Sequence, residues 1–117
     1  VTYPSKTITM NVLNNNEVTI AVVSRFFAAI DRLIADKVLG GVKTFTDRYG
    51  INRWNFQSMK KDYTMGGAFQ LCWLSYLVSD FHVSAYWLLC GTGDFYAQGW
   101  TAEIIKKLQI NRTEKSA

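Results

Sequence analysis

Phe45 to Met59 reads FTDRYGINRWNFQSM. Apolar side chains fall at Phe45, Tyr49 and Ile51, then at Phe56 and Met59. Gly50 follows the first group and Asn52 precedes the second. Glycine closes a helix well because the left-handed conformation costs it nothing. Asparagine opens one by accepting a backbone N–H at the cap. The stretch therefore predicts two short helices, about Lys43 to Tyr49 and Asn52 to Lys61, joined by a tight turn. Phe56 and Met59 are three apart and share a face of the second helix. The other face shows Arg53, Trp54, Gln57, Lys60 and Lys61. A helix anchored on one side, with cationic and amide groups on the other, suits a DNA major groove.

Working outward, Asn14-Asn15-Asn16-Glu17 reads as a helix start, with polar caps before an acidic first turn. From there Val22, Val23, Phe26, Phe27, Ile30, Leu33, Ile34 and Val38 form a 3.6-residue stripe, broad enough to face a core. Arg25, Asp31, Arg32, Asp36 and Lys37 lie off it, and Gly40-Gly41 ends the helix. Before it, Val1 to Leu13 holds the single proline, Pro4. Thr7 to Val12 alternates, which allows a short strand or a disordered arm. Downstream, Tyr63 to Gly67 reads as a loop. A helix over about Ala68 to Phe81 is apolar nearly all round and is expected to be central. Ser84 caps a short helix to Leu89, and Gly91-Thr92-Gly93 closes it. Thr101 caps a last helix in which Ile104, Ile105 and Leu108 share a face. Asn111 to Ala117 is polar and expected to fray.

Two segments together resemble the lambda-repressor-like family of helix-turn-helix proteins, which includes phage repressors and Cro-like proteins. In the first, Gly50 matches the turn glycine, and Phe45, Tyr49, Ile51, Phe56 and Met59 match the buried positions. In the second, His82 to Tyr96 (HVSAYWLLCGTGDFY), Val83, Ser84, Trp87, Leu88, Leu89, Gly91 and Gly93 match the family's closing segment. The likeness covers roughly Val22 to Tyr96. It departs from the family at Trp54, where a smaller polar residue is usual. It departs again at Val42-Lys43, where a glutamine often stands, and at Thr46, where alanine is usual.

The resemblance implies an all-α fold: a compact five-helix domain with a helix-turn-helix, a short C-terminal helix and an extended N-terminal arm. Residues 1–16 would form the arm, 17–96 the DNA-binding domain and 97–117 an extension for dimerisation. It implies base contacts from Asn52, Arg53, Trp54, Gln57 and Ser58, and phosphate contacts from Lys43, Thr44, Lys60 and Lys61. Helix-turn-helix proteins commonly read paired half-sites as dimers. Tyr96, Trp100, Ile104 and Leu108 are the apolar candidates for such a homodimer.

Composition agrees with this. The chain has 117 residues, is 49% hydrophobic and 15% aromatic, and carries a net charge of +4. That is enough for one domain with a core, and the sign suits a polyanionic partner. No apolar run reaches a membrane span and the start shows no signal pattern, so a cytoplasmic, nucleoid-associated protein is expected. Cys72 and Cys90 fall in apolar patterns and read as reduced core thiols. Two cysteines and His82 do not make a zinc site, and the aspartates form no acid–base pair, so neither cofactor, catalysis nor a small-molecule substrate is expected. The leading reading is a phage or mobile-element regulator binding double-stranded DNA as a dimer on a palindromic operator. The rival is a non-enzymatic protein–protein adaptor or structural protein on the same scaffold.

Overall fold

In the computed structural model, which describes residues 5–63 and 69–116, with side chains over 17–63 and 69–109, the apolar stripe of the first helix is the spine of the core. Among the described residues six helices succeed one another: α1 (Ser5–Ala35), α2 (Val42–Tyr49), α3 (Arg53–Lys61), α4 (Leu71–Asp80), α5 (Ala85–Cys90) and α6 (Ala102–Ser116). The fold is all-α. The β-pairing among the described residues is one isolated antiparallel bridge, Val83 with Tyr96.

Val23, Phe26, Phe27, Ile30 and Leu33 of α1 are buried, and the other helices pack onto them. Phe26 is the hub. Its ring meets those of Phe27, Phe45, Phe56 and Phe69 edge-on at 5.1 to 6.0 Å, and Trp73 at a tilt. Edge-to-face pairs place a ring's positive rim against its neighbour's negative face, adding about 0.5 to 1.5 kcal/mol each beyond burial. Since these rings come from α1, α2, α3, α4 and the segment before α4, one side chain ties the N-terminal half together.

α1 corrects three expectations. It begins at Ser5, so Asn14 to Asn16 lie inside a helix instead of capping one. The extended arm and the strand at Thr7 to Val12 are replaced by helical backbone; residues 1–4 lie outside the described chain. At the other end α1 stops at Ala35, before Gly40-Gly41. The reversal is made by Lys37, which takes a left-handed φ of 63°. The amides of Val38 and Leu39 both donate back to the carbonyl of Leu33, at 2.9 and 3.1 Å. Val38 and Leu39 are then folded under the helix end and buried.

Helix α4 corrects a fourth. Its sequence is apolar nearly all round, yet only Trp73 and Leu77 are fully buried, and Leu71 is 80% exposed. It covers one flank of the core. Both cysteines are free and exposed, so neither is the core thiol its neighbours suggested. The expected loop falls largely on residues 64–68, outside the described chain. The expected helix start at Ala68 falls there too.

The C-terminal third is held by backbone and side-chain clips. Ser84 accepts from the amide of Trp87 and caps α5, and Gly91 closes it with φ 80°. Ser84 N donates to Phe95 O, and Ala97 N to His82 O, both at 2.8 Å. Arg25 of α1 donates to the carbonyls of Leu88 and Leu89 at the end of α5. Thr101 caps α6 by accepting from Ile104 N at 3.3 Å. That helix runs to Ser116, where the polar composition had predicted fraying.

Candidate nucleic-acid interface

The turn between α2 and α3 has the chemistry its sequence promised. Gly50 adopts φ 65° and its amide returns to the carbonyl of Thr46. Ile51 N donates to that same carbonyl at 2.9 Å. Thr46 is buried at the helix crossing and satisfies its hydroxyl on the carbonyls of Val42 and Lys43. Asn52 Oδ1 accepts from Asn55 N at 2.9 Å, which caps α3. Phe56 and Met59 are fully buried beneath that helix.

The outward face follows from the anchoring. Arg53, Gln57 and Lys61, spaced by four, line one exposed strip of α3. Trp54 sits next to it with 74% of its surface in solvent. Asn52 and Asn55 are exposed at the first turn, and Ser58 is half-buried. The strip thus holds a guanidinium and an amide capable of paired hydrogen bonds, with an ammonium at its far end.

The other anticipated cations are engaged. Lys43 donates to Asp47 at 2.6 Å, and Lys60 to Asp31 at 2.9 Å. Exposed pairs of this kind are worth about 0 to 1 kcal/mol, so a phosphate can displace the carboxylate at little cost. The aspartates still reduce the positive field that an approaching backbone would feel. Thr44 is exposed beside Lys43. Lys60 and Lys61 also lie at the C-terminal end of α3, where the helix dipole alone favours cations.

The four candidates for dimerisation divide. Tyr96 is half-buried and donates to Asp36 Oδ2 at 2.6 Å, while Arg32 sits 5.7 Å from its ring centroid. Trp100 lies flat on the imidazole of His82, with centroids 3.5 Å apart and planes within 3°. Those two side chains are spent inside the chain. Ile104 and Leu108 are 44% and 43% exposed on α6 and remain available to a partner.

His82 owes its setting to this packing. It takes a left-handed φ of 55° just past α4. Burial, partly offset by the charge of Asp80, lowers its pKa below the usual histidine value. No group of three or more metal-binding side chains occurs among the described residues. No described helix is long and apolar enough to cross a membrane.

Two surface features were not legible beforehand. One is a polar pocket of about 300 Å³ between the turn and α4, lined in part by Asn52, Asn55, Gln70 and Tyr76. The other is an apolar groove of about 260 Å³ between α4 and α5, lined by Leu74, Val78, Leu88 and Leu89 among others. Each joins residues distant in sequence, and residue spacing within one helix carries no trace of that.

Compared with protein-family models, curated proteins and solved structures, the chain matches none. The likeness to the lambda-repressor-like family therefore rests only on the residues quoted for it.

Proposed function

We propose that the chain is a sequence-specific double-stranded DNA-binding protein of the lambda-repressor-like kind, with α2 and α3 as its helix-turn-helix. The observation that carries the reading is the orientation of α3: Phe56 and Met59 hold it down while Arg53, Trp54 and Gln57 face solvent. On this reading Arg53 pairs with the N7 and O6 edge of guanine and Gln57 with adenine. Trp54 packs on sugar or a thymine methyl. Lys61, Thr44 and, after exchange of their aspartates, Lys43 and Lys60 hold phosphates and fix the register. Asn52 keeps its oxygen on the cap and offers only its Nδ2. Ser58 stands at the edge of the face. Two copies joined through Ile104 and Leu108 would read a palindromic operator, as a phage or mobile-element regulator does. The protein acts by occupancy and takes no part in chemistry.

Titration of labelled duplex DNA at two salt concentrations tests this. Binding should weaken steeply as salt rises, because bound counterions are released. Arg53→Ala should then relax base preference at one position, costing about 1 to 3 kcal/mol. Binding that ignores both salt and Arg53 would remove the reading.

A second reading is favoured by α4 and α5. Leu71 of α4 and Tyr86 and Leu89 of α5 are 80%, 65% and 53% exposed, and Leu89 lines the apolar groove. That much apolar surface suits a protein partner. An adaptor would show little affinity for DNA at either salt concentration.

A further inference from the structure

The pocket between the α2–α3 turn and α4 has a composition that selects its ligand. Three side-chain amides, Asn52, Asn55 and Gln70, meet there with Trp73 and Tyr76. None of the eight described residues lining it carries a formal charge. A phosphate, a carboxylate or an ammonium would find no counter-ion in that lining, which favours a neutral ligand. At about 300 Å³ the pocket has the size of a small-molecule site.

The amides are partly committed, which narrows what remains. Asn52 Oδ1 is held by the cap, so Asn52 can offer only its amide hydrogens. Gln70 Oε1 accepts weakly from Cys72 Sγ at 3.7 Å, with the exposed thiol as an easily displaced donor. Asn55 is exposed beside them with both ends of its amide. Together they present donors and acceptors side by side. That pattern complements the edge of a heterocyclic base, which alternates the two. Aromatic rings are already ordered at this site: Tyr49 and Tyr76 stack at 3.9 Å with planes within 5°. Base faces pack well on such rings.

We propose that this pocket binds the base of a free, uncharged nucleoside. Asn52, Asn55 and Gln70 read the edge of the base, and the half-buried Tyr76 supports it. The site is independent of the DNA-binding reading. If that reading also holds, the nucleoside and the duplex compete for Asn52 and Asn55 at the first turn of α3, and the ligand releases the DNA.

The test is a titration of the isotopically labelled full chain with adenosine, guanosine, cytidine and uridine, with ribose and glucose as controls, followed by the side-chain amide resonances. At least one nucleoside should give saturable shifts centred on Asn52, Asn55 and Gln70. Asn55→Ala and Gln70→Ala change exposed side chains that make no capping hydrogen bond, so both should keep the parent's circular dichroism. Each should weaken the nucleoside about tenfold, the loss expected of one good hydrogen bond. No saturable shift with any nucleoside, equal shifts with the sugars, or undiminished binding by both variants would overturn the proposal. Nucleoside binding by a protein that ignores duplex DNA would retain the pocket and discard the competition. DNA binding without nucleoside binding would discard the pocket and the competition together and leave the DNA-binding reading standing.

Discussion

Arg25 donates its Nε to the carbonyl oxygen of Leu88 at 2.7 Å, across 63 residues of sequence. Its Nη2 reaches Leu89 O at 2.9 Å. The last carbonyls of a helix have no partner within it, and the dipole makes that end negative. A guanidinium from α1 therefore closes α5 more firmly than water does. It also fixes where the segment from His82 to Trp100 sits on the core. Arg25→Met keeps the aliphatic stem and removes the donors. It should lower stability by about 1 to 2 kcal/mol, the range for a hydrogen bond to a charged group that is partly solvated. Urea unfolding checks this, with an unchanged m-value expected. A Cβ on Gly91 would stand 3.0 Å from Arg25 Nη1 at a backbone φ of 80°. Gly91→Ala should therefore cost at least as much as Arg25→Met.

The left-handed Lys37 makes a cleaner test of backbone strain. Its side chain is exposed, and its φ of 63° is one that a β-carbon penalises by about 1 to 2 kcal/mol. Lys37→Gly removes that penalty but gives the unfolded chain more freedom, which takes back about 0.4 to 1 kcal/mol. The net expectation is a gain of up to about 1 kcal/mol, seen as a higher thermal midpoint. Destabilisation would mean the lysine makes a contribution that its exposed position conceals.

Lys37 also shows where the sequence could be read and where it could not. The turn at Gly50 was legible because glycine and asparagine are chemically specific punctuation: one takes the left-handed angle and the other supplies a cap. Phe56 and Met59 were legible because a spacing of three fixes a face within one helix. The end of α1 was misread because a lysine stands where glycine is usual, while a real glycine pair waited five residues beyond Ala35. Its beginning was misread because three asparagines look like caps, although each costs a helix interior only a few tenths of a kcal/mol. The exposure of α4 was hidden for another reason. Hydropathy states what a side chain prefers, and among the described residues nothing covers Leu71, which is 80% exposed. At the candidate site the residue types and the face of α3 were readable. The pairing of Lys60 with Asp31, 29 residues away, was not.

Tyr49 couples the first helix of the turn to α4 and makes stability sensitive to alkali. Its hydroxyl donates to Asp80 Oδ2 at 2.5 Å. Burial first, and then the hydrogen bond to the Asp80 carboxylate, push the phenol up to about 12. In the unfolded chain it ionises near 10. The folded protein therefore holds the proton more tightly. The stabilisation is complete below pH 10 and is lost as pH rises toward 12. Tyr96, raised by burial and by Asp36, adds a loss of the same sign. Tyr49→Phe should flatten the decline between pH 10 and 12 in denaturant titrations. His82 acts at the other end. Its lowered pKa makes its contribution complete above about 6.5 and smaller as pH falls, because the unfolded chain takes the proton first.

The last expectation uses the Asp31–Lys60 pair to separate a solvated face from a DNA contact. Lys60 Nζ lies 2.9 Å from Asp31 Oδ1, with the aspartate side chain 60% exposed. Asp31→Asn removes the negative charge and leaves the fold nearly as stable, since an exposed pair contributes about 0 to 1 kcal/mol. If α3 lies in a major groove, the variant loses one repelling carboxylate, and Lys60 reaches phosphate without first breaking a pair. Affinity for duplex DNA should then rise for all sequences alike, and the slope of log affinity against log salt should steepen by about one charge. Lys60→Ala should act in the opposite direction, and combining it with Asp31→Asn should cancel most of the gain. A gain that persists without Lys60 would place the effect in the general field of the protein, because no ammonium would then be left to take the phosphate. If affinity does not move in either single variant, α3 does not approach the DNA backbone from this end.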